Sequence, residues 1–191
     1  MGIFDFNKPR TPLQWIIFLA AIGITLSSPA GTRAFSRDLR RHISRHNRQE
    51  KFPLKPAQVS MALYYARKRK LIDIREDVRG NILLFLTERG KKRKLEYDLE
   101  NLTIVKPSSW DGKWRLLLFD VPESMKRARE ALREKLKQLG FFQFQKSVWI
   151  YPYRCENEID FIAEVFSIAS CLTLFTIYIE NDKMLRSYFR L

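Results

Sequence analysis

The chain has 191 residues, with 35 Lys and Arg against 21 Asp and Glu, a formal net charge of +14. A hydrophobic content of 46% and 25 aromatic residues exclude wholesale disorder, while seven Gly and eight Pro exclude collagenous and low-complexity classes. Two cysteines, Cys155 and Cys171, are too few for a disulfide scaffold; they read as core thiols in a reducing, cytoplasmic compartment, and a pI near 10 points to a polyanion.

Residues 13–26 are almost wholly apolar, and no charge falls between Arg10 and Arg33. Thr11 followed by Pro12 is a helix start, a hydroxyl cap with proline in the first turn. The apolar run is shorter than the roughly 20 residues that a spanning helix needs, and Pro29 and Gly31 break any extension. It reads as the buried first helix of a small domain, with a signal peptide or short membrane anchor as the alternative. The Met-Gly start is a poor lipidation signal, because Phe6 stands where Ser or Thr is wanted.

Residues 32–45 form a second helix, with Phe35, Leu39 and Ile43 spaced along one face. Residues 47–54 are a connector. The third helix, 55–70, turns Val59, Leu63 and Ala66 inward and leaves Ala57, Gln58, Ser60, Met61, Tyr64, Tyr65, Arg67 and Lys68 outward. Residues 71–76 and 82–86 are strand-like on either side of a turn at 77–81, and Thr87 caps a polar helix running to about residue 99. Three helices, a hairpin and a helix opening with Leu-Thr-x-x-Gly are the plan of a winged helix-turn-helix. The glycine usual between its recognition helix and wing is Lys70 here.

Between residues 33 and 70, twelve basic side chains meet only Asp38 and Glu50. A merely solvated face would intersperse acids, so this run reads as a phosphate-binding surface. The candidate DNA-binding residues are Arg33, Arg37, Arg40 and Arg41 on the second helix and Lys55, Gln58, Ser60, Met61, Tyr64, Tyr65, Arg67 and Lys68 on the third. Arg75 and Arg79 join them from the wing. Gln58 and Ser60 suit base edges, and the cations suit phosphates. His42 and His46 lie four apart, but without further ligands they read as surface histidines rather than a metal pair.

Residues 106–112 read as a linker. Residues 114–120 form a buried strand, Ser124 caps a helix through Leu139, and residues 141–153 form two strands broken near Gln145 and Lys146. A helix over 156–168 and a strand over 172–180 complete the order βαββαβ of a ferredoxin-like sandwich. The expected fold class is therefore α+β: a winged helix over 1–105, a linker over 106–112, and a ferredoxin-like dimerisation domain over 113–191.

Two stretches carry a family resemblance: Trp110-Asp-Gly-Lys-Trp-Arg-Leu-Leu-Leu-Phe-Asp-Val-Pro-Glu123, and Gly140-Phe with Gln145-Lys-Ser-Val-Trp-Ile-Tyr-Pro152. This segment resembles the central domain of PaaX-type repressors of phenylacetate degradation. That domain is similar in turn to Cas-two, the small ferredoxin-like CRISPR adaptation protein. PaaX-type proteins continue into a further helical domain, which a chain ending at Leu191 is expected to lack, so their coenzyme A thioester ligand is not carried over. The resemblance implies a homodimeric transcriptional regulator that binds double-stranded DNA with no cofactor, and leaves room for a small-molecule effector. In the CRISPR-type relatives the aspartate ending the first strand is proposed to hold Mg²⁺ with its dimer mate, and Asp120 occupies that position. The alternatives are thus an endonuclease using Asp120 with Mg²⁺ or Mn²⁺, or a non-catalytic CRISPR-type DNA-binding adaptor. A strand-end aspartate facing the amides of the next helix is the purely structural reading of Asp120.

Overall fold

The computed structural model describes residues 9–27, 33–46 and 55–191. Two compact units divide the chain between Glu100 and Asn101. The fold is of the mixed α+β kind, with one antiparallel sheet in each unit.

In the first unit, α1 (Pro12–Ala21), α2 (Arg33–His46) and α3 (Pro56–Lys68) precede the hairpin of β2 (Ile72–Glu76) and β3 (Ile82–Leu86). Helix α4 (Glu88–Asn101) follows. Thr11 Oγ1 accepts from the Gln14 amide at 3.2 Å, and Gln14 Oε1 accepts from the Thr11 amide at 3.1 Å, a reciprocal cap. The apolar run does not stay helical to residue 26. Gly23 takes a φ of +67° and closes α1, after which Thr25–Leu26 form a short strand, β1, paired with Leu83 and Ile82. The resulting sheet has the order β1-β3-β2.

Helix α1 is apolar almost all round because it is enclosed. Trp15, Ile16, Leu19 and Ala20 share one core with Phe35, Leu39 and Ile43 of α2 and Val59, Leu63 and Ala66 of α3. Each fully buried large aliphatic side chain there contributes about 1.5–3 kcal/mol. Among the described residues, no helix is long and apolar enough to cross a membrane.

The second unit runs β4 (Trp114–Phe119), α5 (Lys126–Gln138), β5 (Phe142–Gln145), β6 (Val148–Tyr151), α6 (Glu156–Val165), β7 (Leu172–Ile177) and α7 (Lys183–Phe189). Its sheet order is β5-β6-β4-β7, with β5 and β7 at the edges. The order βαββαβ is present, and three details differ from the sequence-based expectation. Ser124 does not cap α5, because it lies inside a 3₁₀ turn, Glu123–Met125. Helix α6 stops at Val165, where Ser167 turns to a φ of +56° and the Ile168 amide reaches back to the Ala163 carbonyl. Helix α7 was not anticipated at all.

That helix closes one end of one sheet face. Leu185 and Phe189 pack with Trp114, Leu116, Phe142, Ile150 and Ile177, all of one parity in the strand register. The buried Trp114 indole N–H donates to Asp182 Oδ2 at 3.0 Å, and Asp182 also pairs with Arg186 at 2.8 Å. Leu117, Phe119 and Trp149, of opposite parity, are equally buried, as are Leu132 and Leu136 of α5 and Ile159 and Ile162 of α6. Cys155 is buried as expected, and burial pushes its thiol pKa well up; Cys171 is only half-buried.

One charge in this unit is deeply enclosed. Arg115, 2% exposed, donates to both Asp111 carboxylate oxygens at 2.8 and 2.7 Å and to the Lys113 carbonyl at 2.9 Å. Chiefly through those side-chain bonds, Arg115 holds the Asp111 carboxyl at about 2, below its ordinary 3.8. A carboxyl depressed in the folded state stabilises the fold above its unfolded pKa, and that contribution is lost as pH falls through the folded value. Circular-dichroism melts at about pH 7, 4 and 2 should therefore show the second unit's midpoint falling between the last two. Asp111→Asn should lower the midpoint at neutral pH and flatten that acid dependence.

Candidate nucleic-acid interface

Helix α3 begins with Pro56 at its first position, and Gln58 Oε1 accepts from the Lys55 amide at 3.0 Å. Its buried residues are Val59, Ala62, Leu63 and Ala66, so the period-3.6 face was legible in the sequence. Lys55, Ala57, Gln58, Ser60, Met61, Tyr64, Tyr65, Arg67 and Lys68 are all exposed. Two of the polar candidates are already engaged. Gln58 Oε1 serves the helix start, and Ser60 Oγ donates to Ser36 Oγ of α2 at 3.3 Å.

The middle of the exposed face is therefore apolar and aromatic. Met61 and Tyr64 are each 55% exposed and Tyr65 44%. Tyr64 and Tyr65 meet edge-on at 5.6 Å, with Lys68 5.7 Å from the Tyr64 ring centroid and Arg69 6.0 Å from that of Tyr65. Arg69 was absent from the sequence-derived set. Its place four residues after Tyr65, on the same helical face, was the signal that could have found it.

On α2, Phe35, Leu39 and Ile43 are buried, which turns Arg37, Arg41 and Arg45 to solvent and leaves Arg40 half-buried. Arg41 pairs with Asp38 at 3.2 Å. The side chains of Arg33 and His46 lie outside the described residues. The basic run of α4 is a different case: Lys91, Arg93 and Lys94 pair with Glu88, Glu96 and Asp98, each at 2.6 Å, so its charge is largely neutralised within the helix.

The hairpin tip is built on Asp77. Its Oδ1 accepts from the amides of Arg79 and Asn81 at 2.8 and 2.9 Å, and its Oδ2 from the Asn81 side chain at 2.9 Å. These bonds, the Asn81 side chain foremost, hold the Asp77 carboxyl below its ordinary pKa. Gly80, at a φ of +77°, completes the turn and leaves Val78 and Arg79 exposed. Arg75 is drawn back along its strand, 3.2 Å from Asp73 and 5.5 Å from the Phe85 ring centroid.

Helix, hairpin and α4 meet at one point. The Leu71 carbonyl accepts from the Thr87 amide at 3.1 Å, while the Thr87 hydroxyl donates to the Lys70 carbonyl at 2.6 Å, with the Leu71 carbonyl 3.2 Å away, and accepts from the Gly90 amide at 3.0 Å. Lys70, at a φ of +54°, adopts the left-handed conformation in which glycine is usual.

Asp120 is exposed at the end of β4, its amide bonded to the Cys171 carbonyl at 2.9 Å. Glu123, the nearest other acid in sequence, is tied to Arg129 at 2.6 Å. Among the described residues no three His, Cys, Asp or Glu side chains group as a metal site.

Residues 107–186 match the family model described as the PaaX protein central Cas2-like domain. No curated protein matches the chain. Among solved structures, the uncharacterized protein Rv0674 from Mycobacterium tuberculosis is similar at a TM-score of 0.35, with 18% identity over 71% of this chain and 53% of that one. The chain thus spans about half the length of that protein.

The junction yields a paired expectation. A Cβ added at Gly90 would lie 1.8 Å from the Leu71 carbonyl oxygen, so Gly90→Ala must displace backbone and should cost about 2 kcal/mol or more. Lys70→Gly should raise stability by about 1 kcal/mol, because it relieves a left-handed non-glycine residue. Denaturant titration of the two variants checks both signs.

Proposed function

We propose that the chain is a dimeric, sequence-specific DNA-binding transcriptional regulator of the PaaX-like type, acting as a repressor. The observation that carries this reading is the exposed face of α3, flanked by cations of α2 and α3 that acids leave largely unpaired. The contrast with α4, where similar cations are matched within the helix, supports a use for the first set outside the chain.

In this reading the first unit is a winged helix. Helix α3 enters the major groove, the Val78-Arg79 tip reaches the neighbouring backbone, and Arg37, Arg40 and Arg41 sit along phosphates. The second unit is a ferredoxin-like dimerisation module, consistent with the family match to residues 107–186. Two further features support dimerisation. Strand β7 is an open edge, and Phe144 of β5 and Phe175 of β7 are exposed aromatic side chains. A dimer presents two recognition helices to a two-fold site, and linkage raises the effective concentration of the second.

If about six phosphates are engaged, affinity should fall roughly 10³-fold between about 50 and 200 mM salt. Arg67→Ala with Lys68→Ala should reduce the slope of log affinity against log salt by about two. Fluorescence anisotropy on labelled duplex reads both; binding indifferent to salt, or a protein monomeric at high concentration, would refute the proposal.

Asp120 supplies the competing reading, a Mg²⁺- or Mn²⁺-dependent nuclease completed by a second chain. Labelled duplex incubated with either metal should remain intact, and Asp120→Asn should bind DNA as the parent does. Metal-dependent cleavage that disappears in Asp120→Asn would establish the enzyme instead.

A further inference from the structure

Resting on the DNA-binding reading above, we infer that α3 selects its site chiefly by contact with thymine C5 methyl groups, with Met61 as the central reader. Four bidentate or charged pairings usually carry direct readout: Arg or Lys on guanine, and Asn or Gln on adenine. The exposed centre of α3 provides none of them in a free state. Gln58 already spends its carbonyl oxygen on the Lys55 amide, and Ser60 donates to Ser36. The cations sit at the helix ends, Lys55 at one and Arg67, Lys68 and Arg69 at the other.

What remains between those ends is Met61, Tyr64 and Tyr65. Tyrosine hydroxyls can serve phosphates, which is blind to sequence. A methionine thioether has no such use; it offers apolar, adaptable contact and almost no hydrogen bonding. In the major groove the one apolar group on a base edge is the thymine methyl. Charge identifies the occupant as a polyanion rather than an apolar protein surface, because residues 55–70 contain five cations and no acid. Met61 and Tyr65 also wall an open, largely apolar groove of about 530 Å³ against Pro12 and Leu13, so this apolar surface extends beyond the helix itself.

The probe is deoxyuridine, which keeps the base pair and minor groove of thymidine and deletes only the methyl. A duplex selected by the full-length chain from a randomised pool is resynthesised with deoxyuridine at successive thymidines. Affinity should fall about fourfold for each contacted methyl lost, at a few positions within each half-site. Met61→Ala, conservative for an exposed helical residue, should bind thymidine and deoxyuridine duplexes alike at those positions, while retaining the parent's salt dependence. Equal affinity of the unaltered chain for the two duplexes would overturn this inference and leave the DNA-binding reading standing. Failure to bind any duplex at low salt would overturn that reading and this inference together.

Discussion

A single backbone carbonyl, that of Leu71, is the constraint on which the first unit's geometry depends. It lies just past the end of α3, accepts the amide of Thr87, whose hydroxyl donates to the neighbouring Lys70 carbonyl, and lies so close to Gly90 that no side chain fits between them. The end of α3, the root of the hairpin and the first turn of α4 are therefore fixed to one another within a hydrogen bond's tolerance. Lys70 accepts a left-handed conformation to reach this point, a cost of about 1–2 kcal/mol for a residue with a Cβ. The exposed face of α3 thus projects from a rigid support.

Charge is handled differently in different parts of the chain. Helix α4 matches its cations with acids three or four residues away, and those exposed pairs add little beyond solubility. In the second unit, Arg115 is enclosed with both Asp111 oxygens, and Arg186 lies between Asp182 and the Trp110 ring, 4.7 Å from its centroid. These charges are used to build the fold. Only α2 and α3 carry a run of cations to which the sequence assigns almost no acids, and Asp38, beside Arg41, is the exception.

The aromatic content of the second unit also has a structural use. Trp110, Trp114, Tyr151, Tyr188 and Phe189 form a chain of ring contacts that attaches α7 to the sheet. The Trp114–Asp182 bond sets where that helix begins, because Asp182 is also the residue before its first turn. Phe144 and Phe175 stand outside this cluster and are exposed.

Local chemistry was enough for much of this. The Thr11-Pro12 start, the inward faces of α2 and α3, the Asp77-to-Asn81 turn and the order βαββαβ all follow from periodicity and turn residues, which act over a few positions. The sequence alone also located the excess charge, and so the candidate surface. Tertiary structure decided the rest. Thr25 and Leu26 left the helical pattern because Gly23 could turn and β3 offered an unpaired edge, a partner more than fifty residues away. Ser124 lost its cap to a 3₁₀ turn, and α7 formed because a sheet face needed covering. On the candidate surface, only the fold showed that Gln58 and Ser60 are engaged with neighbours while Met61, Tyr64 and Tyr65 stand free of the core. A hydrogen bond to a helix start or to a second helix leaves no trace in composition, so spacing could say which residues face outward but not which of them still had donors and acceptors to offer.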